Sequence, residues 1–245
     1  FDKALQMLEQ SKHLKDENPR MGQIVYYNNM GDLMVQLGRY DKAIEYLEAL
    51  LAVEPGHRIG RGNLIVALMK SQRWHQASAQ IDYLLKKQYD NYRYPSLKGA
   101  VLVRLNHLAE AQQYFRQALY MAPLARETLI NFCGNLNSMG EIDRAYTCLT
   151  RALQFHPEDP SLLIRLVENC VRGGRIDAAR FYLDSLKAGS RRSVSKMLAE
   201  ESHNIFLVPP SVALVLSALN TSNQPDVMIR KQREFEQVKG ESSPR

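Results

Sequence analysis

Five alanines, Ala43, Ala77, Ala111, Ala145 and Ala179, stand 34 residues apart without a slip. A fixed interval of this length signals a repeated supersecondary unit, which restricts the fold more tightly than composition does. With each alanine at position 20, contiguous units run 24–57, 58–91, 92–125, 126–159 and 160–193. Other columns keep the same register. Position 24 holds Leu47, Ile81, Phe115, Leu149 and Leu183; position 17 holds Tyr40, Trp74, Leu108, Ile142 and Ile176; position 11 holds Met34, Leu68, Leu102, Leu136 and Cys170.

Within a unit the apolar residues recur at three and four, as in Met30, Leu33, Met34 and Leu37 and then Ala43, Ile44, Leu47 and Leu50, which is helix spacing and not strand alternation. Gly38, Gly140 and Gly174 at position 15 are placed to end a first helix, and Pro55, Pro123 and Pro157 at position 32 to stop a second. The small residue at position 20 lets the two helices approach closely, and the large one at position 24 fills the gap to the next unit. A lone hairpin of this kind cannot bury its own apolar face, so stacking has to supply the core. The composition, 45% hydrophobic and 24% charged, is that of an ordinary globular chain and excludes collagen-like, low-complexity and disulfide-scaffold classes.

The residues Tyr27, Asn29-Met30-Gly31, Leu37-Gly38, Tyr40, Ala43, Leu47 and Pro55 make the first unit resemble the tetratricopeptide repeat family, and the resemblance extends over 24–193. It implies an all-α, right-handed superhelical solenoid of antiparallel helix pairs with a concave trough. Some positions depart from the family pattern: Arg61 stands at an aromatic position, Tyr89 and Arg191 replace the usual proline, and Pro95 and Lys98 occupy apolar positions. These departures leave local helix lengths open.

Phe1-Asp2-Lys3-Ala4 and Leu8 reproduce Tyr40-Asp41-Lys42-Ala43 and Leu47, so residues 1–23 read as the second helix of a cut repeat followed by a linker around Glu17 to Met21. This mid-repeat start predicts more chain upstream, where an anchor or membrane segment would be invisible. Residues 194–220 supply a capping helix and then Ser211 to Asn220, apolar nearly all round, which must be covered. It packs on the C-terminal face of the array, forms a homodimer or partner interface, or plugs the trough. Residues 221–245 read as a polar, mobile tail.

Little in the chain converges toward catalysis. His57, His75, His107 and His156 fall at turn positions with no i, i+4 pair, so no metal site is predicted. Cys133, Cys148 and Cys170 fall on packing positions and read as small buried apolar residues; a Cys133–Cys148 disulfide is the alternative, since both sit in one hairpin. An odd number of thiols favours a reducing compartment, with a bacterial envelope location as the alternative. Gly60-Arg61-Gly62 lacks the rest of a phosphate loop, and Asn220-Thr221-Ser222 is a short sequon that arises easily by accident. No cofactor is expected, no run of about eighteen apolar residues exists to span a membrane, and the chain reads as non-enzymatic.

In the family, positions 2, 5, 9, 12 and 13 of each first helix face the trough, with position 6 beside them. Carried over, these positions imply a peptide-binding groove formed by Asn29, Val35, Asn63, Val66, Met69, Lys70, Arg93, Ala100, Val103, Arg104, Asn131 and Arg172. Small floor residues leave room, the apolar stripe offers buried area, and the cations orient a ligand. Such a surface suits a protein or peptide ligand with apolar and acidic residues. The asparagines at position 6 both donate and accept, which suits backbone amides. The family's terminal-carboxylate clamp, with Lys at position 5 and Asn at position 9, is rejected, because the first unit presents Asn28 and Asp32 there and would repel a carboxylate.

The net charge of +6 is unevenly held. Basic residues exceed acidic ones by 6 to 2, 4 to 1 and 7 to 3 in the second, third and fifth units, and fall short by 2 to 5 and 3 to 5 in the first and fourth. Nucleic acid is a poor fit, because no aromatic residues line the implied trough. Two functions follow. The first is an adaptor that holds partner segments in its trough during assembly of a larger complex. The alternative is the recognition arm of a longer enzyme or membrane protein, such as a glycosyltransferase or an envelope polysaccharide or pilus assembly factor.

Overall fold

A left-handed residue closes every first helix, and this turn sets the geometry of all five hairpins. Gly38, Gly140 and Gly174 take φ of 71°, 79° and 69°, and the non-glycine residues at the same repeat position, Gln72 and Asn106, follow at 59° and 63°. Each turn carries the same pair of backbone bonds, such as Gly38 N to Val35 O at 3.0 Å with Arg39 N to Met34 O at 2.8 Å, and Gly174 N to Val171 O at 3.2 Å with Arg175 N to Cys170 O at 2.8 Å. This is the glycine-type C-terminal cap expected from the sequence, extended to two units that lack the glycine. A side chain in the left-handed region is strained, and Asn tolerates it better than Gln does. Gln72→Gly should therefore stabilise the chain by about 1 kcal/mol, with Asn106→Gly gaining less; urea midpoints compare the two.

The computed structural model describes residues 18–87, 91–188 and 196–197. Ten helices and no strand occur among them: α1 (Pro19–Gln36), α2 (Tyr40–Val53), α3 (Arg58–Lys70), α4 (Trp74–Lys86), α5 (Arg93–Arg104), α6 (Leu108–Met121), α7 (Arg126–Ser138), α8 (Ile142–Phe155), α9 (Pro160–Arg172) and α10 (Ile176–Ala188). Odd-numbered helices are first helices and even-numbered ones are second helices. The chain divides into two compact units, Phe1–Asp90 with α1–α4 and Asn91–Arg245 with α5–α10. The cut second helix predicted for residues 1–14, the apolar stretch 211–220 and the tail 221–245 lie outside the described residues. Pro19 to Met21, placed in a linker from the sequence, are instead the first turn of α1, which starts on the Asn18 side chain accepting from Met21 N at 3.1 Å.

All five position-20 alanines are fully buried. At position 8 the contact is tighter still. A Cβ added to Gly31 would lie 2.6 Å from Leu47, and one added to Gly99 would lie 2.5 Å from Phe115, so these glycines set how closely first and second helices approach. The sequence departures find local solutions. Arg61 is buried with its guanidinium 3.6 Å from the centre of the Tyr83 ring, and it donates to the Pro55 carbonyl at 2.7 Å and to Gln80. A flat cation stacked on a ring thus fills the place of an aromatic residue. Lys98 is also buried, with Nζ 5.9 Å from the Tyr114 ring centre, and Pro95 sits in the first turn of α5, where it costs little.

The cysteines are not three free thiols. Cys133 on α7 and Cys148 on α8 form a disulfide with Cα atoms 5.6 Å apart, and Cys170 alone is free and buried. The reading of all three as inert core residues is corrected by this pairing, and the argument from an odd thiol count to a reducing compartment goes with it. Cys148 lies one residue before the buried Leu149 and is only half-buried, which turns its sulfur toward Cys133 across the hairpin.

Candidate functional site

Residues at repeat positions 5, 6, 9, 12 and 13 share one stripe of a helix, because they are spaced by whole turns. In the first unit this stripe is open. On α1 it carries Asn28, Asn29, Asp32 and Val35, all half-buried, with Gln36 donating to Asp32 at 2.7 Å. On α3 it carries Gly62, Asn63 and Val66, also half-buried, and ends on the exposed Lys70; Met69 is fully buried. Of the groove residues expected here, Asn29, Val35, Asn63, Val66 and Lys70 are accessible and Met69 is not.

In the second unit the same stripe is largely closed. On α5, Arg93 is exposed, Val103 and Arg104 are half-buried and Ala100 is buried; desolvation lowers the Arg104 pKa from its ordinary value. On α7, Asn131 and Asn137 are 1% exposed. On α9, Arg165 and Glu168 are 1% and 3% exposed, and Arg172 is half-buried. Glu168 Oε1 accepts from Arg172 Nε at 3.1 Å and from its terminal nitrogen at 2.9 Å, while Arg165 stands 3.9 Å from Glu168 Oε2.

Several features of this unit carry no obvious mark in the sequence. Asn135 donates to the carbonyl of Leu108 at 2.9 Å, and Asn169, one repeat later, donates to the carbonyl of Ile142 at 2.9 Å. Each amide locks a first helix onto the opening turn of the preceding second helix. Their shared repeat position was the available signal. Asn135 also donates to Gln112 at 2.7 Å and Asn169 to Asn137 at 2.6 Å, so polar side chains are buried in pairs. Arg–Asp pairs repeat in the same fashion, Arg73 with Asp41 and Arg175 with Asp143, each joining adjacent repeats. Asp159 caps α9 by accepting from Ser161 N at 2.9 Å and also pairs with Arg126.

On the second-helix side of this unit a cleft of about 650 Å³ is walled by Leu119, Leu124, Phe132, Thr147, Cys148 and Phe155. His57, read as a turn residue, has a structural duty: its Nδ1 accepts from Gly60 N at 3.0 Å and caps α3. Among the described residues no group of three His, Cys, Asp or Glu side chains could hold a metal, and no helix is long and apolar enough to cross a membrane.

Comparison with known proteins agrees with this geometry. Two tetratricopeptide repeat family models match residues 34–101 and 96–123. The TPR repeat-containing protein MJ1428 of Methanocaldococcus jannaschii is 26% identical over 178 residues, which cover 66% of this chain and 30% of that protein. This chain thus spans under a third of the length of that relative. Among solved structures, YrrB, described as a TPR protein with an unusual peptide-binding site, superposes with a TM-score of 0.59 at 16% identity over 79% of this chain and 98% of its own. MamA from Desulfovibrio magneticus RS-1 gives 0.59 at 16% identity over 71% and 96%, and PilF of Pseudomonas aeruginosa gives 0.61 at 17% over 92% and 100%. At these identities the likeness is one of fold.

Proposed function

We propose that this chain, which belongs to the tetratricopeptide repeat family, is a non-enzymatic scaffold that holds segments of partner proteins on the stripes of its first helices while a larger complex assembles. The observation behind this reading is the open stripe of α1 and α3, where half-buried amides and valines lie beside the exposed Lys70. Asn29 and Asn63 can donate to and accept from a peptide backbone, Val35 and Val66 offer apolar contact, and Lys70 favours a carboxylate. A rigid, preformed surface of this kind binds with little ordering cost to the scaffold. The peptide-binding site named for YrrB lends the reading support by analogy of fold.

Panning a random peptide library against the full chain tests it. Enriched sequences should combine apolar residues with Asp or Glu. Lys70→Glu should weaken them about fivefold, the scale of one exposed ion pair, at an unchanged melting temperature. Peptides indifferent to both Lys70→Glu and Asn63→Ala would overturn the assignment. A second reading, the recognition arm of a longer enzyme or membrane protein, draws on the Methanocaldococcus relative extending far beyond the matched stretch. Sequencing the whole reading frame decides it.

A further inference from the structure

The cleft of about 650 Å³ between α6, α7 and α8 lies at a place that the second repeat fills with its own side chains. There Arg61, at repeat position 4, lies 3.6 Å from the ring centre of Tyr83 at position 26, and it donates to the Pro55 carbonyl at 2.7 Å and to Gln80 at position 23. In the fourth repeat Pro123 corresponds to Pro55, but Leu129 stands for Arg61, Arg151 for Tyr83 and Cys148 for Gln80. The cation has moved to the second helix, and the ring that would stack on it is gone from the matching column. Position 23 is a tyrosine in the first, third and fifth repeats, Tyr46, Tyr114 and Tyr182, whereas Cys148 is small and has its sulfur tied to Cys133. The space is left for something else to fill.

The walls of the cleft are apolar and within reach of solvent: Leu124 and Phe155 are 54% and 51% exposed, and Leu129 and Phe132 are half-buried. Leu124 stands at position 33, where the other repeats have Gly56, Asp90, Glu158 and Arg192, so its apolar character is not a requirement of the repeat. Three charged residues line the cleft. Asp143 is held by Arg175 and Arg144 by Glu141, whereas the exposed Arg151 makes no ion pair or hydrogen bond among the described residues. An apolar cleft of ligand size with one uncommitted cation is complementary to an apolar group beside a negative charge. The filled site of the second repeat indicates which apolar group, since a guanidinium there lies flat on a ring. We infer that the cleft is a docking site for a segment of a partner protein, which inserts an aromatic side chain against Arg151 and sets a neighbouring Asp or Glu on the same guanidinium. An aromatic anchor in an apolar pocket is the usual centre of such an interface. The next cleft along, between α8 and α10, has Phe181, Tyr182 and Glu158 in its walls, so a carboxylate-bearing segment is drawn to the Arg151 cleft in preference. This surface belongs to the second helices and does not depend on the reading of the first-helix stripes.

The test uses the full chain. Random peptides displayed on phage are panned on it, and fluorescein-labelled copies of the enriched sequences are titrated into wild type, Arg151→Glu, Lys70→Glu and a double variant. The double variant combines Leu129→Arg with Arg151→Tyr and so rebuilds the filled arrangement of the second repeat. The expected result is a class of peptides with Phe, Tyr or Trp beside Asp or Glu. These bind Arg151→Glu about fivefold or more weakly, the scale of one exposed ion pair and one cation–ring contact. They lose measurable binding to the double variant and are indifferent to Lys70→Glu, which separates them from ligands of the first-helix stripe. Arg151 is exposed, so Arg151→Glu should melt with wild type and keeps the test valid if the double variant fails to fold. Absence of such a class, or equal binding to wild type and Arg151→Glu, overturns the proposal. Peptides that need Arg151 but carry no ring overturn the aromatic anchor. A wild-type chain that sediments as a dimer while Arg151→Glu sediments as a monomer would give the cleft to a second copy and refute the partner assignment.

Discussion

Reducing the Cys133–Cys148 bond lowers the stability of the second unit by about 3 kcal/mol, the loop-closure contribution expected for 15 residues. For a unit of this size the melting temperature falls by roughly 6–12 °C. Cys148 is half-buried in the wall of an open cleft, so a small reductant can reach the bond without global unfolding. Cys170 stays silent in the same experiment while the chain is folded. It is fully buried, and desolvation pushes its thiol up to about 11, so it remains protonated at the pH of ordinary alkylation. The unfolded thiol ionises first, so Cys170 favours the folded state below the ordinary thiol range, and this contribution is lost as the pH rises toward 11. Alkylation after unfolding without reductant should count one thiol, and after reduction three. Three in the unreduced sample would remove the disulfide and its stability increment together.

The repeat made the fold legible because each structural requirement recurs at a fixed interval. Position 20 must be small, and five alanines meet the requirement. Position 15 must take positive φ, and three glycines announce it while Gln72 and Asn106 conceal it in the other two units. What the period could not carry were features that occur once. Arg61 looked like a defect at an aromatic position until Tyr83 was found beneath it. The disulfide depends on two side chains from different columns turning toward each other, which spacing alone does not determine. The candidate site was half legible for a related reason. Family register places Asn29, Val35, Asn63 and Val66 on stripes that the structure leaves half-buried, but it says nothing of what later covers a stripe. Asn131 and Ala100 have the right register and yet are buried.

Glu168→Gln tests the energetics of the closed stripe, and the expected cost is about 3–5 kcal/mol, the usual penalty for breaking a buried ion pair by removing one partner. Size and shape are kept; only the charge is lost. Glu168 lies 3% exposed between Arg165, which is 1% exposed, and Arg172, whose guanidinium donates two bonds to Oε1. A neutral amide would retain at most part of these bonds and would bring its own donors against two cations. The two arginines then respond differently. Arg172 is half-buried and can turn its head toward water along its apolar stem, whereas Arg165 has no such exit. The loss should therefore trace to Arg165, which a second substitution can demonstrate. Combining Glu168→Leu with Arg165→Leu removes both deeply buried charges and should cost far less than Glu168→Gln alone, because apolar replacements of a buried pair are often close to neutral. Urea unfolding of the two variants distinguishes the cases. A double variant as unstable as the single one would mean that shape, not the loss of the Arg165–Glu168 charge pairing, accounts for the loss.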